Sequence, residues 1–333
     1  MSRFTLGVRR STLKNVCKAL TASLVLASPL AYSDILYRGD FETGYIKTGG
    51  KDRNNSFYYG AFGPNCSNSV NAYNQDNDNR LVSNNVRYGK YANAQTIRYN
   101  CNYSSLNNGI HQKPRQALSI FEAQKIEEGK EYWVGLSFKV DSSWVSDHSN
   151  NRDNLFQLYK EKNSNGASGR RNAANAINIE EFDGKFRASF RNSYSSSGQS
   201  KSYSWPTKKN QWQDVVFNFR MCKKGTKNCN GFIKMYLNGS SKPVFTHSGT
   251  NTETDRHKIA MNIYKYSWHC MDASSKTYKQ CMANKASTRS TKPRTVYFDE
   301  LMVGDHNSSI GEIAPYYFGS APNPPSSLAA KVN

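Results

Sequence analysis

A short stretch, Lys258 to Trp268 (KIAMNIYKYSW), holds the densest set of side chains capable of chemistry. In an extended strand its residues alternate between two faces. Ile259, Met261 and Ile263 form one face, suited to a core, while Asn262, Tyr264, Tyr266 and Trp268 form the other. Aromatic rings stack on sugar faces, and amides and phenols hydrogen-bond to sugar hydroxyls, so the second row fits a carbohydrate. A half-buried strand with a tyrosine-rich solvent face fits the same pattern, because tyrosine favours strands anyway.

Two further segments repeat the arrangement. In Lys185–Asn192, Lys185, Arg187, Ser189 and Arg191 oppose Phe186, Ala188 and Phe190. Arginines two positions apart on a strand stand about 7 Å apart. That spacing suits successive anionic groups on a polymer, each held bidentately by a guanidinium. In Leu155–Glu161, Gln157, Tyr159 and Glu161 oppose Leu155, Phe156 and Leu158 with imperfect alternation. Placed side by side, the three polar faces would make a basic, aromatic groove; each alone also reads as a solvated face.

Other chemistries have weaker marks. None of the six histidines, His111, His148, His247, His257, His269 and His306, sits in a metal-type pair. His148, in the polar loop Trp144–Asn154, is the best placed of them as a base. No nucleophile elbow and no glycine-rich phosphate loop occurs. A retaining glycosidase needs two close carboxylates. Glu180, Glu181 and Asp183 are candidates, but Glu181 and Asp183 lead into a turn and read as solvated.

The elements that must position these residues are short strands. Tyr132–Val140 puts Tyr132, Val134, Leu136, Phe138 and Val140 on one face, as in a sandwich strand. Ala176–Phe182 and Lys185–Asn192 flank Asp183-Gly184, a hairpin signal. Asp214–Cys222, Gly231–Leu237 and Thr295–Val303 are further strands, and Ser193–Ser204 reads as a mobile serine-rich loop. Many short strands, no internal repeat and no long helical period predict an all-β sandwich or barrel.

Arg3, Arg9, Arg10, Lys14 and Lys18, then the apolar run Ala19–Leu30, then Ala31-Tyr32-Ser33 have the form of a secretory signal. The expected organisation is a signal peptide over 1–33, one domain over 34–319 and a flexible tail over 320–333, in a secreted or periplasmic protein. Beyond the signal six cysteines remain, an even number that suits disulfides in an exported chain. Proximity favours Cys222–Cys229 and Cys270–Cys281, leaving Cys66–Cys101, although six cysteines allow 15 pairings. Zinc is the rival reading, without CxxC or HxxxH spacing to support it. With 45 Lys+Arg against 25 Asp+Glu the net charge is +20, which calls for an acidic partner.

From about Tyr132 to Gly304 the order of segments resembles the β-jelly-roll polysaccharide lyases, the group of heparin lyase I, glucuronan lyase and alginate lyase. The resemblance rests on Tyr132-Trp133-Val134-Gly135 with Trp144, Phe156-Gln157-Leu158-Tyr159 and Trp212-Gln213-Asp214-Val215-Val216. It continues through Gly231–Gly239, Ile263-Tyr264-Lys265-Tyr266 and Val296–Leu301. It implies a concanavalin-A-like β-jelly-roll sandwich whose concave face holds the polymer. Family members carry Gln-x-His on the central strand; here Gln157 matches and Tyr159 replaces the histidine. They carry a lysine four residues before the catalytic tyrosine; here Tyr264 matches and Ala260 replaces the lysine. Lys113-Pro114-Arg115 lies near the family's Arg-x-Glu position, without the glutamate. Tyr264-Lys265-Tyr266 with Lys185, Ser189 and Arg191 resembles a variant with a tyrosine pair.

The expected function is therefore β-elimination in a uronate-containing anionic polysaccharide. Tyr264, Tyr159 and His148 are the expected proton-transfer residues. Gln157, Lys185, Arg187, Ser189, Arg191, Asn262, Lys265, Tyr266 and Trp268 are expected to bind substrate. No cofactor and no catalytic metal are expected, a structural Ca²⁺ is compatible with the sequence, and the chain is expected to be a monomer without nucleic-acid or membrane partners. Two other classes remain open: a non-catalytic, lectin-like protein on the same sandwich and, from charge alone, a secreted nucleic-acid binder.

Overall fold

The computed structural model describes residues 34–44, 46–48, 56–59, 79–98, 115–120, 125–160, 176–191, 200–223, 225–252, 256–265 and 290–318. In chain order the first strands are β1 (Ile35–Gly39), β2 (Lys47–Thr48), β3 (Ser56–Tyr59), β4 (Asn79–Val82), β5 (Ala92–Ile97) and β6 (Arg115–Ser119). Then come β7 (Ile126–Glu127), β8 (Glu131–Val140), β9 (Asp153–Lys160), β10 (Ile177–Phe182), β11 (Lys185–Arg191) and β12 (Ser200–Pro206). The last are β13 (Gln213–Arg220), β14 (Phe232–Leu237), β15 (Phe245–Ser248), β16 (Arg256–Lys265) and β17 (Arg294–Gly304), followed by two single-turn helices, α1 (Ile310–Ile313) and α2 (Pro315–Phe318). Among the described residues no helix is long and apolar enough to cross a membrane.

The strands form two sheets, antiparallel except where β2 meets β3. The first runs β15-β14-β13-β8-β17-β5-β4, with β1 also on β17; the second runs β12-β11-β10-β9-β16-β6-β3-β2, with β7 also on β16. The chain crosses between the sheets at β1–β2, β3–β4, β5–β6, β7–β8, β8–β9, β12–β13, β15–β16 and β16–β17. The result is the jelly-roll sandwich expected from the sequence.

The core follows from alternation. Val134, Leu136 and Phe138 of β8 and Val215, Phe217 and Phe219 of β13 face Phe186, Ala188 and Phe190 of β11 and Ile259, Met261 and Ile263 of β16 in one buried cluster. Phe138 meets Phe186 edge-on at 5.1 Å, and Phe156 stacks on Phe217 at 5.7 Å across the two sheets. Burying each such ring contributes about 1.5–3 kcal/mol.

The serine-rich segment departs from expectation. Ser200–Pro206 is an edge strand rather than a mobile loop. Trp205 is buried, contacts Phe186 at 5.6 Å and donates its indole N–H to Gln213 Oε1 at 3.1 Å. The inward register of Tyr203 and Trp205 wins, and the serines stand on the other face. The Asp183-Gly184 hairpin forms as expected, with φ of 48° and 69°, the left-handed pair that a tight two-residue turn requires. Gly135 lets α1 approach β8, since a Cβ there would lie 2.1 Å from the Ile313 carbonyl oxygen.

Cys222 and Cys229 are bonded, with Cα atoms 5.6 Å apart. Cys66, Cys101, Cys270 and Cys281, the segment 1–33 and the tail 320–333 lie outside the described residues.

On the outer side of the first sheet β17 bulges at Glu300, whose φ is 55°. Asp299 accepts hydrogen bonds from the backbone N–H groups of Arg87 (2.8 Å) and Glu300 (3.0 Å), while the Arg87 guanidinium grips Asp214 at 3.0 and 2.7 Å. Burial, followed by the charge of Glu300, pushes the Asp299 carboxyl up to about 9. Burial, followed by the charge of Asp40, pushes Glu300 up to about 8. Among the described residues no group of three or more His, Cys, Asp or Glu is placed to hold a metal ion. With both values raised, the folded state keeps protons that the unfolded chain releases. Stability is then fully present at low pH and is lost as pH rises through this window. Glu300→Gln should therefore show a thermal midpoint that gains on the wild type as pH is raised from about 5 to about 9; melting curves across that range check it.

Candidate functional site

Strand register brings the expected residues to one face. Tyr264 of β16 pairs with Asn154 of β9 and with Arg115 of β6. Asn154 pairs with Glu180 of β10, Glu180 with Arg187 of β11, and Arg187 with Ser204 of β12. The neighbouring row runs Ser119, Ala260, Gln157, Asn178, Ser189, Ser202. Tyr159 pairs with Lys258 in a third. Directly paired residues share a face, so Tyr264, Gln157, Tyr159, Arg187, Ser189 and Lys185 all lie on the outer side of the second sheet. At about 4.8 Å per strand, Tyr264 and Arg187, three strands apart, stand about 14 Å apart.

The imperfect alternation in β9 has a cause. Register slips by one residue between β9 and β10 at Ile179/Glu180, and between β9 and β16 at Met261/Tyr264. Leu155 and Phe156 both enter the core, leaving Asn154 and Gln157 outward although they are three positions apart.

A polar network occupies the β9–β11 part of this face. Asn178 Nδ2 donates to Asn154 Oδ1 at 2.7 Å and to Glu180 Oε1 at 3.1 Å. Arg187 Nη2 donates to Glu180 Oε2 at 2.6 Å, and Arg152 Nε lies 3.0 Å from Glu180 Oε1. Sequence reasoning missed Arg152, Asn154 and Asn178, and gave Glu180 a different role. Arg152 sits in an irregular loop with no periodic mark, whereas Asn154 and Asn178 become readable once the bulge is known.

Several expected positions are not open. Asn262 has no exposed surface; its Nδ2 donates to the Asn154 carbonyl at 3.1 Å, inside the bulge. Lys265 corrects the expectation of a substrate contact. As the residue after Tyr264 it points to the opposite face, and it is fully buried. Its ammonium lies 2.7 Å from Asp147 and 2.9 Å from Asp153 and also donates to the Asn151 carbonyl. Arg294 completes the cluster, 2.7 Å from Asp147 and 3.2 Å from Asp153, with its guanidinium over the Trp144 ring. Asp147 also accepts the backbone N–H of Ser290 at 2.7 Å. Glu181, read as solvated, is buried as well: it accepts from the Trp144 indole at 2.8 Å and from Thr207 Oγ1 at 3.0 Å, and burial pushes its carboxyl up.

Gln157 is nearly buried, Tyr264 and Tyr159 are half-buried, and Lys185 is exposed. His148 is exposed in the β8–β9 loop, beside the Asp147 that holds Lys265. Arg191 is placed only as a strand position, paired with Ser200. Tyr266 and Trp268 lie outside the described residues.

A polysaccharide lyase family profile matches residues 60–302. The chain belongs to that family and is a polysaccharide lyase by class. Among curated proteins none matches. An endo-β-1,4-glucuronan lyase from the fungus Trichoderma reesei shares the fold: TM-score 0.53, 17% identity, covering 78% of this chain and 98% of that one. A family 7 alginate lyase is also similar, at TM-score 0.40 and 13% identity, covering 66% of this chain and 79% of its own. A carbohydrate esterase from a Shiga toxin-encoding bacteriophage stands at TM-score 0.43 and 10% identity, covering 82% of this chain and 99% of that one.

Removing one partner of a buried ion cluster leaves charge uncompensated and costs about 3–5 kcal/mol. Lys265→Met should lower urea-unfolding stability by about that amount. Adding Asp153→Asn should restore part of it, as equilibrium unfolding of the two variants will show.

Proposed function

We propose that this lyase acts on a uronate-containing polysaccharide by β-elimination, outside the cell that makes it. The observation that carries the reading is the pairing Arg115–Tyr264–Asn154–Glu180–Arg187 across one outer face. The chemistry makes matching demands. The proton at C5 of a uronate is weakly acidic until its carboxylate is neutralised by a cation or hydrogen-bond donors. A base takes that proton, the C5–H electrons form the C4–C5 double bond, the C4–O4 bond breaks, and an acid protonates the departing O4.

Tyr264 is the proposed proton-transfer residue. A phenol titrates near 10 when unperturbed, and a neighbouring cation lowers it. Arg115 occupies the position paired with it on β6. Gln157 is the proposed amide donor to the uronate carboxylate, and Tyr159 or His148 would supply a second proton-transfer group. Arg187, about 14 Å from Tyr264, lies too far away to share that carboxylate. Its role belongs to another sugar of the chain.

The lectin-like reading keeps one specific support. The family's histidine and lysine positions hold Tyr159 and Ala260, and Lys265 is committed to the buried cluster. The two readings separate on alginate, glucuronan, heparin, hyaluronan and pectin, followed by the ultraviolet absorbance of the unsaturated uronate. Elimination on one of these is expected. Tyr264→Phe should cut turnover by about 10²-fold or more while circular dichroism and polymer retention stay at wild-type values. Retention without any absorbance rise on all five would favour the lectin.

A further inference from the structure

Arg152, Glu180, Phe182 and Arg187 form a compact group on the outer face, with Arg187 three strands from Tyr264. The Glu180 side chain is 6% exposed and places one oxygen on each guanidinium, 3.0 Å from Arg152 and 2.6 Å from Arg187. The Arg187 guanidinium lies over the Phe182 ring at 4.5 Å, so it is fixed from two sides. Lys185 Nζ approaches the same ring at 5.3 Å. What solvent meets is cation rather than carboxylate: the Arg152 and Arg187 side chains are 48% and 27% exposed. Among the described residues Arg187 Nε has no acceptor. Ser202 and Ser204, exposed on β12, border the group and offer hydroxyl donors.

We propose that Arg152 and Arg187, splayed and held by Glu180, bind the carboxylate of a uronate several sugars away from the bond that is cleaved. This rests on the uronate-lyase reading above. Guanidiniums bind carboxylates with planar, directional hydrogen bonds, and a buried carboxylate shared between two of them sets their planes before the polymer arrives. Glu180 is thus a positioning residue. The separation of about 14 Å between Arg187 and Tyr264 puts the bound carboxylate on a different sugar from the one losing its proton. The subsite consequently acts only on chains long enough to span both.

The test is steady-state kinetics on a long polyuronate and on the shortest oligosaccharide that is cleaved, with Arg152→Ala, Glu180→Gln and, as a charge control, Lys242→Ala in the exposed β14–β15 turn of the first sheet. Arg152→Ala should raise KM on the polymer about tenfold, leave kcat unchanged, and match wild type on the short substrate. Glu180→Gln should also raise KM on the polymer although it adds positive charge, and Lys242→Ala should change neither constant. An unchanged polymer KM for Arg152→Ala, a lowered KM for Glu180→Gln, or an equal loss on the short substrate would overturn the proposal.

If the wild type eliminates no uronate polymer, the lyase chemistry fails by itself. Mobility in gels containing polyuronate or a sulfated neutral glucan then reads the subsite directly. Polyuronate retention weakened by Arg152→Ala upholds it; retention unaltered by Arg152→Ala, or confined to the sulfated glucan, overturns it.

Discussion

The molecule is organised by a buried square of charge. Lys265 and Arg294 supply two cations, Asp147 and Asp153 two anions, and all four are almost without exposed surface. Such a cluster is costly to desolvate and contributes little net stability against an apolar replacement. Its value lies in what it joins. Asp147 belongs to the β8–β9 loop, Asp153 begins β9, Lys265 ends β16 and Arg294 begins β17, so four chain segments from both sheets meet at one charge-neutral point. Because Lys265 must point inward to reach it, Tyr264 must point outward. The orientation of the proposed proton-transfer residue is thus a by-product of an ion pair on the other side of the same strand.

The second constraint is register. Paired positions across β6, β16, β9, β10 and β11 set polar residues in rows at right angles to the strands, and the slips at β9 keep both Asn154 and Gln157 on the outer side. A row of this kind is a ruler with marks about 4.8 Å apart. It separates the proposed proton-transfer residue Tyr264 from the proposed anion site at Arg187, a spacing suited to a polymer and unnecessary for a small molecule. The excess of basic residues would add long-range attraction to the proposed polyuronate.

Much of this was legible beforehand. Tyr132–Val140 and Lys185–Asn192 read as strands because each alternates cleanly, Thr295–Val303 because it is rich in strand formers although a bulge at Glu300 breaks its alternation, and each appears within a residue or so of its expected ends. The family was legible from the order of weak segments. Strand parity argues against an outward Lys265, since consecutive strand residues cannot share a face, whereas the resemblance to a tyrosine-pair motif points the other way. Glu181 read as solvated because its sequence neighbours form a turn, whereas its partners Trp144 and Thr207 come from distant segments. Arg152 carried no local signal, because its role depends on a carboxylate 28 positions away that only folding brings near.

One edge of the second sheet carries a further consequence. β12 is its last strand in the sheet order, with exposed Lys201 and serines and with Pro206 at its end. A proline has no backbone N–H to offer, and a lysine beside an open edge discourages a second strand from docking. Proteins that gather densely on a polysaccharide meet one another at high local concentration, where a bare sheet rim would template fibrous growth. Among the described residues this rim has no further strand on it, and its lysine and terminal proline disfavour strand-to-strand docking between crowded copies.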